Sequence, residues 1–341
     1  MIVFSMLNNE SVNPPNSSLT ELLNLYNSGN LVGSESLCRN LLEKFPDSPI
    51  VWNVLGVVLQ GQGKADDALA AYEDSIRKSP EYAEAYHNSG ILLNALGRPE
   101  EAVEKFTKVI ELNPEDSDTR NNIGVLLQGL NKNEEALMHL QKAIALNPQS
   151  NSAYFNCANS LKAIGKNEEA LESYNQAVRL NPSFMKAFIN RGNLLENMER
   201  YEDAKRSYTR AIEIDREYAR AYANRGAIEK KLGNYSRAAI DFTKAIELDP
   251  WRPESSDRDN NFKFRLYINL GDIQLHAGEY DKALKSYDFA TQIEPENLDV
   301  LAFKGNAIAG LGRLAEGLKL RQQAFGFLCF DISAGVSIIH E

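Results

Sequence analysis

The sequence is poor in the residues from which catalytic and metal centres are usually built. It holds 3 cysteines and 4 histidines in 341 residues. Cys38, Cys157 and Cys329 form no CxxC pair and no zinc set, and fit a reducing compartment better than a disulfide framework. His87, His139, His276 and His340 are scattered, and no HExxH is present. GxxxxGK[ST] and GxSxG are missing too; GQGK at 61–64 joins two helical stretches with no strand before it. No catalytic residue, no metal and no cofactor are therefore expected. Positive charge is not in excess either. The net charge of -10 argues against a general nucleic-acid binder. No run approaches the roughly 18 apolar residues of a membrane span. The opening MIVFSMLNNESVNPPNSS lacks a basic segment, and its apolar run is too short for a signal peptide. These absences lead to the expectation of a soluble, cytoplasmic chain without nucleic-acid or membrane partners.

What the sequence has is a period. Pro46, Pro80, Pro114, Pro148 and Pro182 stand 34 residues apart, followed by Pro250 and Pro295. Gly56, Gly90, Gly124, Gly192, Gly226, Gly271 and Gly305 keep the same step. So do Ala68, Ala102, Ala136, Ala170, Ala204, Ala238 and Ala283. An aromatic column runs through Trp52, Tyr86, Tyr154, Phe188, Tyr222 and Tyr267. Self-similarity at this length signals a solenoid. Apolar spacing between the columns is helical: Trp52, Leu55, Gly56 and Leu59, then Ala65, Ala68, Leu69 and Tyr72. Each repeat is thus two amphipathic helices, A then B, joined by a Gly-containing turn. A Gly inside a helix costs roughly 1 kcal/mol against Ala, so its recurrence implies close helix packing. Proline ends helix B because it cannot donate to the helical ladder.

These columns resemble the tetratricopeptide repeat family. The match covers about 49–331, with repeats at 49–82, 83–116, 117–150, 151–184, 185–218, 219–252 and 264–297 and a worn one at 298–331. A degenerate repeat covers 15–48, where only the second helix is clear, after a flexible N-terminus at 1–14. The resemblance implies an all-α fold, an α-solenoid of stacked helix hairpins in a right-handed superhelix, with helix A lining a concave groove. Departures mark particular repeats. Arg120 stands in the aromatic column, and Arg216 replaces a closing Pro. Gly317 replaces Ala and Arg321 an aromatic, as in a terminal cap. All columns jump by 45 after Pro250, so 11 residues are inserted, assigned to 253–263. That insertion is either a surface loop with helix A extended at its start or a lip over the groove.

Asn88, Asn122, Asn156, Asn190, Asn224 and Asn269 sit two residues before the Gly position in six successive repeats. Helical spacing puts them on a stripe with Asn159, Asn193, Lys186, Arg220 and Arg265, turned away from helix B. A carboxamide both donates and accepts, so it can pair with one peptide unit whatever the side chains. The stripe resembles the array of O-linked N-acetylglucosamine transferases, which implies a peptide-binding asparagine ladder. A local structural role for these asparagines is the alternative. Lys186, Arg220 and Arg265, with Lys230 and Lys231, give the later repeats a basic character suited to an acidic segment. The expected function is a non-catalytic scaffold binding an extended protein or peptide segment. Its rivals are the recruiting arm of a glycosyltransferase and a self-assembling module. The last rival involves the apolar tail 325–341, whose two apolar runs around DISAG predict a short hairpin. That hairpin caps the last repeat, pairs with a second copy in a homodimer, or begins a further domain.

Overall fold

The computed structural model describes residues 12–250, 256–325, 328–331 and 335–338. The chain divides by its packing into two units, one ending at Asn181 and the other starting at Pro182. The first unit holds α1 (Asn16–Asn27), α2 (Leu31–Lys44), α3 (Pro49–Gly61), α4 (Ala65–Lys78), α5 (Ala83–Ala95), α6 (Pro99–Leu112), α7 (Ser117–Gly129), α8 (Asn133–Leu146), α9 (Asn151–Ala163) and α10 (Asn167–Leu180). The second holds α11 (Met185–Asn197), α12 (Tyr201–Ile214), α13 (Ala219–Lys231), α14 (Tyr235–Leu248), α15 (Asp257–His276), α16 (Tyr280–Ile293), α17 (Leu298–Gly310) and α18 (Leu314–Phe325). It ends in β1 (Leu328–Asp331) and β2 (Gly335–Ile338), which pair antiparallel with Leu328 opposite Ile338. The fold class is all-α, a solenoid of helix hairpins in which each hairpin packs on the next within its unit. Among the described residues no helix is long and apolar enough to cross a membrane.

The turn between helices A and B is set by one backbone angle. Gly29, Gly63, Gly97, Gly165, Gly233, Gly278 and Gly312 all have φ between 74° and 82°. Only glycine adopts this left-handed conformation at no steric cost. Gly29 shows that the 15–48 segment is a full repeat, with both helices formed. In two repeats the same place is held by Asn131 at φ 59° and Glu199 at φ 58°. Asparagine tolerates this conformation through its short polar side chain; glutamate has no such compensation.

Helix B ends without needing its proline. Helix α12 stops at Ile214 although Arg216 stands where other repeats have Pro. The Asp215 carboxylate accepts from the Glu217 N–H at 2.9 Å, as Asn147 accepts from Gln149 at 3.1 Å. This local side-chain bond turns the backbone and replaces the steric stop. Arg120 likewise fills the aromatic column. Its guanidinium donates to the Pro114 carbonyl at 3.1 Å, the same bond that the Trp52 indole makes to Pro46 at 2.9 Å.

The Gly column faces a large helix-B side chain. A Cβ on Gly56 would lie 2.5 Å from the Tyr72 ring, and one on Gly192 2.6 Å from Tyr208. Phe106, Leu140, Phe242 and Tyr287 fill the same place opposite Gly90, Gly124, Gly226 and Gly271. In the last hairpin the geometry differs. With Arg321 in place of an aromatic, α17 and α18 approach backbone to backbone. A Cβ on Gly317 would meet the Gly305 carbonyl oxygen at 2.4 Å.

Two expectations need adjusting. Of the flexible 1–14 segment, 1–11 lie outside the described residues, but Asn13 is buried and accepts from the Ser48 hydroxyl at 2.7 Å. Of the inserted residues, those after Ser256 are helical. Ser256 caps α15, accepting from the Asp259 N–H, and the helix runs 20 residues where α13 and α17 have 13.

Two substitutions test this geometry. Gly317→Ala should destabilise by about 1–3 kcal/mol, because backbone cannot yield as a side chain can. Glu199→Gly should stabilise by up to about 1 kcal/mol by relieving the left-handed strain. Urea unfolding of the full chain measures both, and a neutral Gly317→Ala would contradict the close approach.

Candidate functional site

Within each unit the A helices form a face that carries the column asparagines, Asn88, Asn122 and Asn156 in the first unit and Asn190, Asn224 and Asn269 in the second. Successive A helices touch, α3 with α5, α7 with α9 and α15 with α17. The asparagines of the column are half-buried along this face. Asn88, Asn156 and Asn224 donate to a carboxamide one repeat earlier. Asn88 Nδ2 lies 2.9 Å from Asn53 Oδ1, Asn156 Nδ2 2.9 Å from Asn121 Oδ1, and Asn224 Nδ2 3.3 Å from Asn193 Oδ1.

The residue one repeat back decides which partner each of these meets. The position 35 residues before Asn88 and Asn156 is asparagine, Asn53 and Asn121. Before Asn122 it is His87, whose ring packs edge-on against Phe106 and lies 3.4 Å from the Thr119 hydroxyl. Burial pushes the His87 imidazole below its usual pKa, so it stays neutral. Before Asn224 it is Ile189, so Asn224 turns to Asn193 instead. Asn122 makes no hydrogen bond to any described residue. Asn269 accepts from Lys230 Nζ at 2.9 Å.

A second set of bonds comes from behind the face. Helix-B tyrosines, Tyr208 and Tyr287 against the Gly column and Tyr174 at the equivalent place in its repeat, reach through with their hydroxyls. Tyr174 donates to Asn159 Oδ1 at 2.5 Å, Tyr208 to Asn193 Oδ1 at 2.8 Å and Tyr287 to Asp272 Oδ1 at 3.0 Å. Burial, and then the neighbouring carboxylates of Glu196 and Asp272, push the Tyr208 and Tyr287 hydroxyls well above their usual pKa. They are therefore fixed donors. Asn159 and Asn193 are thus held by helix B. The sequence contained that signal as Tyr174 and Tyr208, four residues after Ala170 and Ala204, but apolar patterning alone reads them as core.

The basic character expected of the later repeats is partly cancelled. Lys230 pairs with Asp272 at 3.1 Å and Lys231 with Glu196 at 2.9 Å. Arg220 lies 3.5 Å from Asp259. Lys186 and Arg265 are exposed and make no ion pair with a described residue. Among the described residues no group of His, Cys, Asp or Glu is arranged to hold a metal ion. Cys38 is buried, and desolvation pushes its thiol up to about 12.

Sequence models described as tetratricopeptide repeat, or TPR repeat, match residues 53–117, 117–147, 158–199, 186–218, 219–251 and 264–297, which together exceed half of the chain. The chain belongs to the tetratricopeptide repeat family. A comparison with curated proteins finds no match. Among solved structures, the C-terminal part of a TPR repeat-containing protein from Cytophaga hutchinsonii is similar at a TM-score of 0.61 and 14% identity, covering 75% of this chain and 98% of that one. A tetratricopeptide repeat protein from Parabacteroides merdae gives 0.51 and 23%, covering 70% and 94%. Pseudomonas aeruginosa PilF gives 0.51 and 20%, covering 60% and 93%. These likenesses concern the fold. Proteins of this repeat family are in general protein-interaction scaffolds.

The pairing pattern separates two asparagines that look alike in sequence. Asn88→Ala should cost about 1–3 kcal/mol, because it strips a donor from Asn53, which is 1% exposed. Asn122→Ala should change stability by less than about 0.5 kcal/mol. Thermal unfolding of the two variants measures the difference, and equal losses would contradict the pairing.

Proposed function

We propose that this tetratricopeptide repeat chain is a non-catalytic scaffold that holds an extended segment of a partner protein against its A-helix face through the asparagine column. The observation that carries this reading is how the carboxamides are held. In Asn88, Asn156 and Asn224 one N–H is spent on the neighbouring repeat. A carboxamide has two N–H donors and an accepting oxygen. The second N–H and the oxygen remain to meet the C=O and N–H of a peptide unit. The inter-repeat bond fixes the side chain beforehand, so less rotamer entropy is lost on binding. The structural and binding roles of the column are therefore compatible.

Extended backbone suits such a face because its polar groups recur at a fixed rise of about 3.3 Å per residue. Side-chain bonds to backbone confer little sequence preference, which suits a scaffold with varied cargo. Recruitment for an enzyme such as a glycosyltransferase would use the same face, in the manner of the O-linked N-acetylglucosamine transferase array. Activity recovered with the captured partners would mark that use. Assembly through the tail is a separate reading favoured by the β1–β2 hairpin, since a two-stranded ribbon needs a further surface to be stable. A mass that rises with concentration, and stops doing so when 325–341 are deleted, would support it.

The test uses the column asparagine whose removal is expected to change stability least, by less than about 0.5 kcal/mol. Asn122→Ala should leave the melting temperature unchanged and weaken a captured extended segment by about three- to tenfold, the range for one net hydrogen bond. Capture from the source lysate with wild type and variant, followed by titration of the recovered segment, measures it. Undiminished affinity for a segment mapped to this face would refute the asparagine role.

A further inference from the structure

The insertion after Pro250 does more than lengthen a helix. The added turns of α15 bring Asn261 and Phe262 beside α13, next to Arg265 of the regular repeat. Phe262 packs against the core cluster that includes Ala223, Phe242 and Leu266. The Arg220 guanidinium lies over its ring, 5.2 Å from the centroid. Between α13 and α15 this leaves a pocket of about 200 Å³. Its floor is apolar, formed by Ala223, Ala227, Phe242 and Leu266. Its rim carries Arg220 and Arg265, each one turn before a column asparagine, Asn224 and Asn269.

The charges around the pocket favour an anion on one side. Arg220 faces Asp259 at 3.5 Å, and Lys230 faces Asp272 at 3.1 Å. Both cations are therefore balanced within the unit. Arg265 is exposed and forms no ion pair with a described residue, in a chain whose net charge is -10. An apolar floor with one such guanidinium at its rim fits a pair of side chains rather than a single charged one. In an extended strand, side chains two residues apart point the same way, roughly 6.5–7 Å from each other.

We propose that this pocket is a specificity subsite for an apolar–x–acidic step in an extended partner segment. It rests on the proposed binding of extended segments and adds a side-chain preference to it. The apolar residue enters between Phe262 and Leu266. The acidic residue, two positions away on the same side, meets Arg265. Asn224 and Asn269 lie beside the backbone between them. The insertion thereby supplies local selectivity that a carboxamide column cannot.

Fluorescently labelled peptides with a central Leu-Thr-Glu, Leu-Thr-Gln or Leu-Thr-Lys in a Gly-Ser-Thr context, titrated against the full chain, test this. The Glu probe should bind about tenfold more tightly than the Gln probe, as a charge-assisted hydrogen bond would give. The Lys probe should bind more weakly than both. Arg265→Ala should remove the preference for Glu without changing the melting temperature, since Arg265 is exposed. Phe262→Ala should weaken the Glu and Gln probes alike. Equal binding of the three probes, or a preference for Glu that survives Arg265→Ala, would overturn the subsite. No binding of the Glu probe up to about millimolar concentration would overturn it too. Backbone binding fails separately: N-methylating the probe between Leu and Glu would then leave its affinity unchanged.

Discussion

The contact on which the rest depends is a glycine of helix A pressed against a large side chain of helix B. It recurs as Gly56 on Tyr72, Gly90 on Phe106, Gly192 on Tyr208 and Gly271 on Tyr287. With no Cβ in the way, the two helices come close enough for a tyrosine ring to lie flat between them, fully buried. The hydroxyl then emerges near the opposite face of helix A and bonds to Asn193 or Asp272. The cost of a glycine within a helix, roughly 1 kcal/mol, is offset by burial of a whole aromatic ring. Where the ring is absent, the consequence is visible on the face. Leu140 fills the place opposite Gly124 and has no hydroxyl to send through. One column thus sets both the thickness of each hairpin and the anchoring of the surface in front of it.

The face is tied in a second direction, along the array. Bonds between asparagines 35 residues apart link α5 to α3 and α9 to α7. They form only where the preceding repeat supplies a carboxamide at the right place. His87 and Ile189 interrupt the pattern, and each interruption changes the neighbouring asparagine: Asn122 has no hydrogen bond to a described residue, and Asn224 shifts to Asn193. The repeats are therefore alike in fold and unlike in surface chemistry. In a quasi-linear array each repeat meets only its neighbours, so such differences stay local.

Electrostatics follows the same rule. A count of basic residues makes the later repeats look like a cationic groove. Their lysines, however, lie within reach of Asp272 and Glu196, carried by neighbouring A helices. Half-exposed pairs of this kind contribute little stability, but they remove the charge that a partner would meet. What remains are Lys186 and Arg265, exposed and without an ion pair to a described residue.

The sequence by itself determined the repeat, its two helices, the close packing at the glycines and the stripe of asparagines. Each of these depends on spacing along one chain, and spacing survives in the letters. It also held the hairpin of the tail, in the two apolar runs on either side of a turn. The segment 15–48, read from the sequence as a degenerate repeat with only its second helix clear, has both helices, and Gly29 closes it in the same left-handed turn as the others. Only the tertiary structure decided what each side chain of the stripe is bonded to. Asn88 and Asn122 occupy the same column and differ because of a residue one repeat away. Tyr208 looks like core and is also the anchor of Asn193. The insertion, a polar stretch by composition, becomes a helical wall because Ser256 caps it and Phe262 finds an apolar floor on α13. Pairing and pockets arise between elements, where distance in space replaces distance in sequence, and no period encodes them.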